Sequence, residues 1–270
     1  MSYNTNILQK AVTVHTLKQL KQDQQRFACV SLYDAQMASI AEQQGIETVL
    51  IGDSLGMTIQ GHNSTLPVTM EHMIYHTEAV ARGNHKSLLI ADMPFMSYAD
   101  PIQAMENATH LMQAGAHMVK LEGGAWLVDT VKMLSERGIP VCAHLGLTPQ
   151  SVNKFGGFRV QGRSDEQANT ILQDAKALDQ AGADLIVLEC VPSALGAAIT
   201  QAVSMSTIGI GAGKDTDAQV LVINDLIGLT EVPPKFSKNF LTDASSIAEA
   251  INAFGQHVKN GTFPTKEHEF

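Results

Sequence analysis

The sequence is poor in the groups that would attract a nucleic acid or a membrane. It has 18 lysines and arginines against 27 aspartates and glutamates, so its formal net charge is −9. Nucleic acids and anionic membranes need clustered cations, and we therefore expect neither as a partner. No window approaches the roughly 18 consecutive apolar residues of a membrane span, and the N-terminus lacks the apolar run of a secretory signal.

Cysteine is scarce as well, and its pattern excludes a metal-binding pair. The three cysteines, Cys29, Cys142 and Cys190, lie far apart, each within an apolar run, and no C-x-x-C pair occurs. This pattern predicts buried, reduced thiols and a cytoplasmic protein.

No linker divides the chain, since no stretch is rich in proline, serine or charge. Its 270 residues, 44% of them hydrophobic, suffice for a large core, and barrels of alternating strands and helices often have this length. We predict one domain over residues 1–270. Within it, residues 1–25 are predicted to form an N-terminal helix or arm. Its amphipathic segment 11–22 is expected to plug the barrel, to contact another subunit, or to do both.

Eight short apolar runs are nearly continuous rather than alternating, which is typical of parallel strands buried on both faces. The predicted strands are 27–33, 48–52, 88–92, 117–122, 140–144, 185–190, 206–210 and 226–229. The predicted helices between and after them are 34–44, 70–83, 101–114, 125–137, 165–181, 193–204, 215–223 and 243–259. This alternation predicts an α/β fold, a (β/α)8 TIM barrel, with an open doubly wound sheet as the alternative.

Ionisable residues stand at or just after the ends of five of these runs. They are Asp53, Asp92, Glu122, His144 and Glu189, and Lys120 precedes Glu122 by two positions. A single strand-end charge could simply reach solvent. Five of them at the carboxyl end of one barrel predict an active-site pocket, in which Lys120 and Glu122 point the same way.

The three carboxylates Asp53, Asp92 and Glu122 would repel one another at one mouth, so a divalent cation is expected among them. Oxygen ligands favour Mg²⁺, and the absence of a His–Cys cluster disfavours zinc. His144 is either a further ligand or, as we favour, a hydrogen-bonding partner of the substrate or of a carboxylate.

Lys120 and Glu189 are candidates for the chemistry itself. The positive charge of Lys120 is suited to binding a carboxylate or enolate oxygen of the substrate. The alternative is that Lys120 forms a Schiff base. That reaction needs a lysine with a lowered pKa, whereas the nearby carboxylates would raise the pKa of Lys120. Glu189 comes from a more distant strand and could stay off the metal. It is therefore the candidate general base, with its pKa tuned upward by partial burial.

Three loops are expected near the same rim. Residues 208–217 resemble a phosphate loop but carry Ile208 and Asp215 where the P-loop needs glycine and serine or threonine, so tight turns are favoured over a phosphate site. Residues 153–163 are either a mobile lid or an ordered packing loop. Residues 61–69 extend the loop after the second strand.

Several of these segments together resemble a known family, ketopantoate hydroxymethyltransferase. They are GDSLGM (52–57), ADMPFMSY (91–98), VKLEGG (119–124), HLGLTPQ (144–150) and LECVP (188–192). The likeness continues in order over most of the chain. It implies a barrel related to phosphoenolpyruvate mutase and isocitrate lyase.

The resemblance also implies an activity. Such enzymes transfer a one-carbon unit from 5,10-methylenetetrahydrofolate to 3-methyl-2-oxobutanoate, giving 2-dehydropantoate in the first committed step of pantothenate biosynthesis. They use Mg²⁺, bind a small 2-oxo acid and a folate, and commonly form a homodecamer.

Roles for individual residues follow from the matching motifs. The metal site corresponds to Asp53, Asp92 and Glu122, and the proton acceptor corresponds to Glu189. The substrate contacts correspond to Asp53, Ser54, Asp92 and Lys120, to which we add His144. The alternatives are a Mg²⁺-dependent lyase cleaving a C–C or P–C bond of a 2-oxo acid in the same barrel group, and a non-catalytic metabolite-binding barrel.

Overall fold

Eight parallel strands close into a barrel in chain order in the computed structural model, which describes residues 8–270. The strands are β1 (Phe27–Ser31), β2 (Thr48–Ile51), β3 (Leu88–Asp92), β4 (Met118–Glu122), β5 (Val141–Gly146), β6 (Leu185–Glu189), β7 (Ser206–Ile210) and β8 (Ala218–Val222). The predicted closed barrel is therefore confirmed, and the open sheet is excluded.

The longer helices surround or cap this barrel. They are α1 (Val14–Gln22), α2 (Ala35–Gln43), α4 (Met70–Gly83), α5 (Pro101–Gln113), α6 (Val128–Glu136), α8 (Asp165–Gln180), α9 (Ser193–Ala202) and α11 (Ile247–Lys259). Three single turns are α3 (Leu55–Thr58), α7 (Val152–Phe155) and α10 (Ile223–Leu226). Within residues 8–270, none of the helices is long and apolar enough to cross a membrane.

Local sequence explains where the helices begin. At α5, the Asp100 side chain accepts hydrogen bonds from the backbone of Ile102 and Gln103, with Pro101 in the first turn. Thr69 and Ser246 cap α4 and α11 in the same way. Such caps satisfy backbone N–H groups that a helix cannot bond internally, and each stabilises its helix by about 1 kcal/mol.

Alternate residues of each strand belong to two separate apolar clusters. In β1, Ala28 and Val30 pack with the helices, whereas Phe27 and Cys29 point into the barrel. Both faces are therefore buried, which explains why the apolar runs are continuous. The three cysteines are buried and free, as predicted, and burial raises the pKa of Cys29 to about 12.

Helix α1 lies across the N-terminal end of the barrel. Leu17 joins the interior cluster and its carbonyl accepts a hydrogen bond from Ser206 Oγ at 3.3 Å. Lys21 Nζ donates to the Met205 carbonyl and to Asp217 Oδ2, both at 2.9 Å. Helix α1 therefore covers this end, whereas the opposite end, at the carboxyl termini of the strands, holds an open cavity.

The eighth strand differs from the sequence expectation. Residues 215–223 were expected to be helical and 226–229 to be a strand, and both assignments are wrong, because β8 spans Ala218–Val222. It pairs with β1 along its whole length. The β-branched Val220 and Val222 favour a strand there. The connection from β7 is too short for a helix, and the expected strand is replaced by α10 and a turn.

Candidate active site at the carboxyl ends of the strands

One cavity of about 860 Å³ opens at the carboxyl ends of the strands. All seven side chains singled out from the sequence line it: Asp53, Ser54, Asp92, Lys120, Glu122, His144 and Glu189. Strand register brings several of them together, because Asp92 pairs with Lys120 across β3 and β4, and Glu122 pairs with His144 across β4 and β5.

Lys120 is a buried cation held between carboxylates. Its Nζ lies 2.5 Å from Asp92 Oδ1 and 3.8 Å from Glu122 Oε1. Burial alone would lower the pKa of Lys120, but Asp92, Glu122 and Asp53 outweigh burial and raise that pKa above its ordinary value. The amine is therefore protonated, and a protonated amine cannot attack a carbonyl to form a Schiff base.

Asp53 lies beside carboxylates whose negative charge Lys120 alone does not balance. Its backbone N–H donates to Asp92 Oδ2 at 2.9 Å, so the two residues are in direct contact. Burial, together with the charges of Asp92 and Glu122, raises the pKa of the Asp53 carboxyl well above its usual range. A divalent cation would relieve this repulsion, and a set of carboxylate oxygens suits Mg²⁺.

These carboxylates do not form a finished metal centre as they stand. Across residues 8–270, no group of three or more His, Cys, Asp or Glu side chains is arranged so that it could hold an ion. Lys120 lies against Asp92, and Glu122 accepts from the backbone of Gln150 at 3.0 Å. The residue types fit Mg²⁺, which takes only one or two carboxylates and keeps oxygen ligands from water or substrate.

His144 lies between two glutamates. Its Nδ1 is 3.3 Å from Glu122 Oε1 and its Nε2 is 3.2 Å from Glu189 Oε2, although neither contact is aligned as a hydrogen bond. Burial and Lys120 lower the pKa of His144, but the two glutamates outweigh them and raise it to about 9. The imidazolium is thus a second buried cation, and it also lowers the pKa of Glu122 against the effect of burial.

Gln150 connects two of the carboxylates and was missed by the sequence interpretation. Its Nε2 donates to Asp53 Oδ2 and to the Met93 carbonyl, both at 2.9 Å, and its backbone N–H donates to Glu122. The Tyr98 hydroxyl donates to Gln150 Oε1. A neutral amide in a loop gives no charge signal, and only its place in the segment HLGLTPQ pointed to it.

Ser54 and Ser31 supply hydroxyl groups beside the carboxylates. Ser54 Oγ lies 2.8 Å from the Tyr33 hydroxyl. Ser31, which the sequence interpretation also missed, lines the cavity, and its buried Oγ has no hydrogen-bond partner among residues 8–270. A side chain on Gly52 would meet both hydroxyls, with a Cβ 2.7 Å from Ser54 Oγ and 2.8 Å from Ser31 Oγ. The glycine therefore leaves room for both serine hydroxyls.

The loops form the outer rim of the cavity. His62 and Asn63 from residues 61–69 line it, as do Phe158 and Val160 from residues 153–163. In residues 208–217, Gly213 has a φ of +82° and packs so closely that a Cβ would lie 2.6 Å from the Cβ of Ser193. This close packing supports the interpretation of that loop as tight turns.

Solved structures of the phosphoenolpyruvate mutase/isocitrate lyase superfamily share this barrel fold. A 2,3-dimethylmalate lyase of that superfamily has a TM-score of 0.56 and 16% identity, covering 78% of this chain and 81% of its own. A phosphonopyruvate hydrolase in complex with oxalate and Mg²⁺ has a TM-score of 0.61 and 12% identity, and the match covers 95% of this chain and 93% of the hydrolase chain. At such identities the likeness concerns the fold.

Sequence comparison identifies the family. The model of ketopantoate hydroxymethyltransferase matches residues 11–266. A 3-methyl-2-oxobutanoate hydroxymethyltransferase from Saccharophagus degradans (strain 2-40) is 66% identical over 270 residues, with 100% of both chains covered. The chain belongs to the ketopantoate hydroxymethyltransferase family, and it is therefore an enzyme and a transferase. The family resemblance inferred from the motifs is confirmed.

Proposed function

We propose that the enzyme transfers a hydroxymethyl group from 5,10-methylenetetrahydrofolate to 3-methyl-2-oxobutanoate, forming 2-dehydropantoate for pantothenate biosynthesis. The names of its relatives support this substrate. The single observation that carries the proposal is the cavity itself. It combines Asp53, Asp92 and Glu122 beside the cation Lys120 with a separate carboxylate, Glu189, on a neighbouring wall.

Magnesium is the proposed cofactor, held by Asp53 and Asp92, with Glu122 as the third carboxylate of the same site. When bound, the ion would polarise the 2-oxo group and stabilise the enolate form of the substrate. The all-oxygen donor set supports Mg²⁺, as does the Mg²⁺ and oxalate complex of a hydrolase with the same fold.

Lys120 and Ser54 are proposed to orient the substrate. The ammonium group of Lys120 is 4% exposed, and in that low-dielectric setting it would attract the carboxylate or the developing enolate oxygen. Asp92 and Glu122 hold it protonated and in place. Its role is therefore electrostatic, and the Schiff-base alternative is not favoured.

Glu189 is the proposed general base for the C3 proton, which is acidic because it lies beside the carbonyl. Its side chain is 15% exposed, so it reaches the cavity while keeping one oxygen against His144. The new C–C bond joins C3 to the folate methylene, and one water is consumed to release the hydroxymethyl product and tetrahydrofolate. The open mouth of the cavity supplies this water.

Two rival functions are disfavoured. The lyase alternative shares the fold at only 16% identity or less in the structures compared, whereas the transferase relative is 66% identical. A non-catalytic barrel has no use for Glu189 positioned apart from the other carboxylates. We further propose a cytoplasmic homodecamer, which light scattering coupled to size-exclusion chromatography would check.

The experiment that tests the function follows the transferred carbon. The protein is incubated with 3-methyl-2-oxobutanoate, Mg²⁺ and 5,10-methylenetetrahydrofolate labelled with ¹³C at the methylene. Carbon NMR should show a labelled hydroxymethyl group on a quaternary carbon, and omitting any one component should remove the signal. Cleavage of the 2-oxo acid without incorporation of label would instead support a lyase.

A further inference from the structure

The cavity is much larger than one 2-oxo acid requires. Its volume of about 860 Å³ lies near the upper end of the range for sites that hold drug-sized ligands. A five-carbon acid at the carboxylates would fill only the inner part. The remaining space, here called the outer chamber, is bounded by the loop after β5, the segment after β8 and the C-terminal residue, and its apolar walls are Phe158, Val160, Leu229, Val232, Phe236 and Phe270.

Some of these walls are strongly exposed. Phe158, Leu229 and Val232 are 52%, 68% and 83% exposed, yet all three face one cavity. Clustered apolar side chains around a concave mouth are a feature of binding sites for large, partly aromatic ligands. Scattered surface hydrophobic residues would not share a single cavity.

Two consecutive residues with acceptor oxygens line the outer chamber. Asn224 and Asp225 both line the cavity from α10. The Asn224 Oδ1 atom is buried and accepts no hydrogen bond within residues 8–270. Thr230 Oγ1 donates to one oxygen of Asp225. A buried acceptor without a donor is costly, so a ligand that presents adjacent N–H groups would be favoured here.

Asp225 also lies close to the inner site. The Tyr33 hydroxyl lies 2.8 Å from Ser54 Oγ. Burial is the main cause that raises the pKa of Tyr33, and the negative charge of Asp225 raises it further, so Asp225 lies near this hydroxyl. Lys235 lies at another part of the rim, over the Phe270 ring at 4.9 Å and bonded to the Glu269 carbonyl. Since a carbonyl does not neutralise an ammonium group, Lys235 remains a net positive charge for an anionic ligand.

We propose that the outer chamber binds the pterin-containing one-carbon donor, with Asn224 and Asp225 receiving the amino and ring N–H groups of the pterin edge. The apolar walls contact the aromatic linker, and Lys235 attracts the glutamate carboxylates at the far end. This placement rests on the proposed function, since it takes the donor to be a reduced folate. It brings the transferred methylene between the acceptors and the inner carboxylates.

The test compares folate binding with binding of the 2-oxo acid in the full-length enzyme. Asp225→Asn and Asn224→Ala are expected to weaken the affinity for tetrahydrofolate, measured by calorimetry, at least tenfold. The KM for 5,10-methylenetetrahydrofolate should rise in parallel, while the KM for 3-methyl-2-oxobutanoate stays within twofold. The matched control Asp243→Asn changes an exposed aspartate outside the cavity and should match the wild type.

A second pair of variants avoids any risk to folding. Val232 is largely exposed, so Val232→Glu and Val232→Lys should both fold. The glutamate should weaken tetrahydrofolate binding several-fold more than the lysine, because the folate tail is anionic. Equal effects of the two variants, or unchanged folate affinity in Asp225→Asn, would overturn the placement.

The failure of this placement differs from the failure of the proposed function. A wild-type enzyme that forms labelled product and binds tetrahydrofolate, while all four variants bind it equally well, contradicts only the outer-chamber site. A wild-type enzyme that neither binds tetrahydrofolate nor incorporates label contradicts the proposed function, and this placement with it.

Discussion

The imidazole Nε2 of His144 lies 3.2 Å from Glu189 Oε2, with the second ring nitrogen facing Glu122. Glu189, the proposed base, therefore lies against the imidazolium of His144, and the same imidazolium also contacts Glu122 of the proposed metal site. Protonated His144 therefore keeps the Glu189 side chain in place at the cavity wall.

His144→Gln should lower kcat by about 10- to 100-fold, in line with the loss of a group that orients a catalytic partner. The KM for 3-methyl-2-oxobutanoate should change less than kcat, because Lys120 and Ser54 remain. Steady-state kinetics measures both. His85→Gln, at an exposed histidine outside the cavity, is the matched control. An unchanged kcat in His144→Gln would contradict the role assigned to this contact.

Gln150→Leu should reduce Mg²⁺ affinity or activity by about 10- to 100-fold, the usual cost of removing a residue that orients metal ligands. The side chain would no longer donate to Asp53 and Met93, while the backbone bond to Glu122 would remain. Calorimetric titration with Mg²⁺ gives a readout independent of turnover. The control is Gln43→Leu on the exposed face of α2. Wild-type Mg²⁺ affinity in Gln150→Leu would show that the amide is not a positioning group.

Borohydride should trap no covalent adduct between the enzyme and 3-methyl-2-oxobutanoate. Lys120 is held protonated by Asp92 and Glu122, and a Schiff base requires the neutral amine. Intact-mass spectrometry before and after reduction makes the measurement. A mass increase that maps to Lys120, and that disappears in Lys120→Met, would revive the Schiff-base alternative.

Acidification below about pH 6.5 should lower the free energy of unfolding because of His117. Burial lowers the pKa of this histidine in the folded protein, so it takes up a proton more readily when the chain is unfolded. The unfolded chain then binds more protons than the folded one, so the free energy of unfolding falls as the pH drops through this range. Denaturant unfolding at pH 7 and pH 5.5 would measure the loss. His117→Asn should show a smaller loss than the wild type. An equal loss in both would place the effect in other groups.

Charges at strand ends made most of the site predictable. A barrel strand that is buried on both faces has no structural reason to end in Asp53, Asp92 or Glu122, so these residues indicated a pocket. Lys120 was placed correctly beside Glu122 because strand geometry puts residues two apart on one face. The bridging of two glutamates by His144 could not be predicted, since it depends on the register between β5 and its neighbours.

Uncharged and apolar segments were harder to interpret. The run AQVLV (218–222) and the run LIGL (226–229) are both apolar and short, and composition alone does not distinguish a strand from a helical turn at that length. Pairing with β1 decides it, and that is a tertiary effect. Gln150 carries no charge and lies in a loop, so its bonds to Asp53 and Glu122 appear only when the chain is folded.

The most direct test of the account is exchange of the C3 proton of 3-methyl-2-oxobutanoate in D₂O, followed by NMR without any folate. The wild type should exchange the proton when Mg²⁺ is present and stop when EDTA removes it, and Glu189→Gln should abolish exchange under both conditions. Exchange that persists in Glu189→Gln would contradict the assignment of Glu189 as the base. Exchange that continues at the same rate in the presence of EDTA would contradict the assignment of the carboxylates to a metal site.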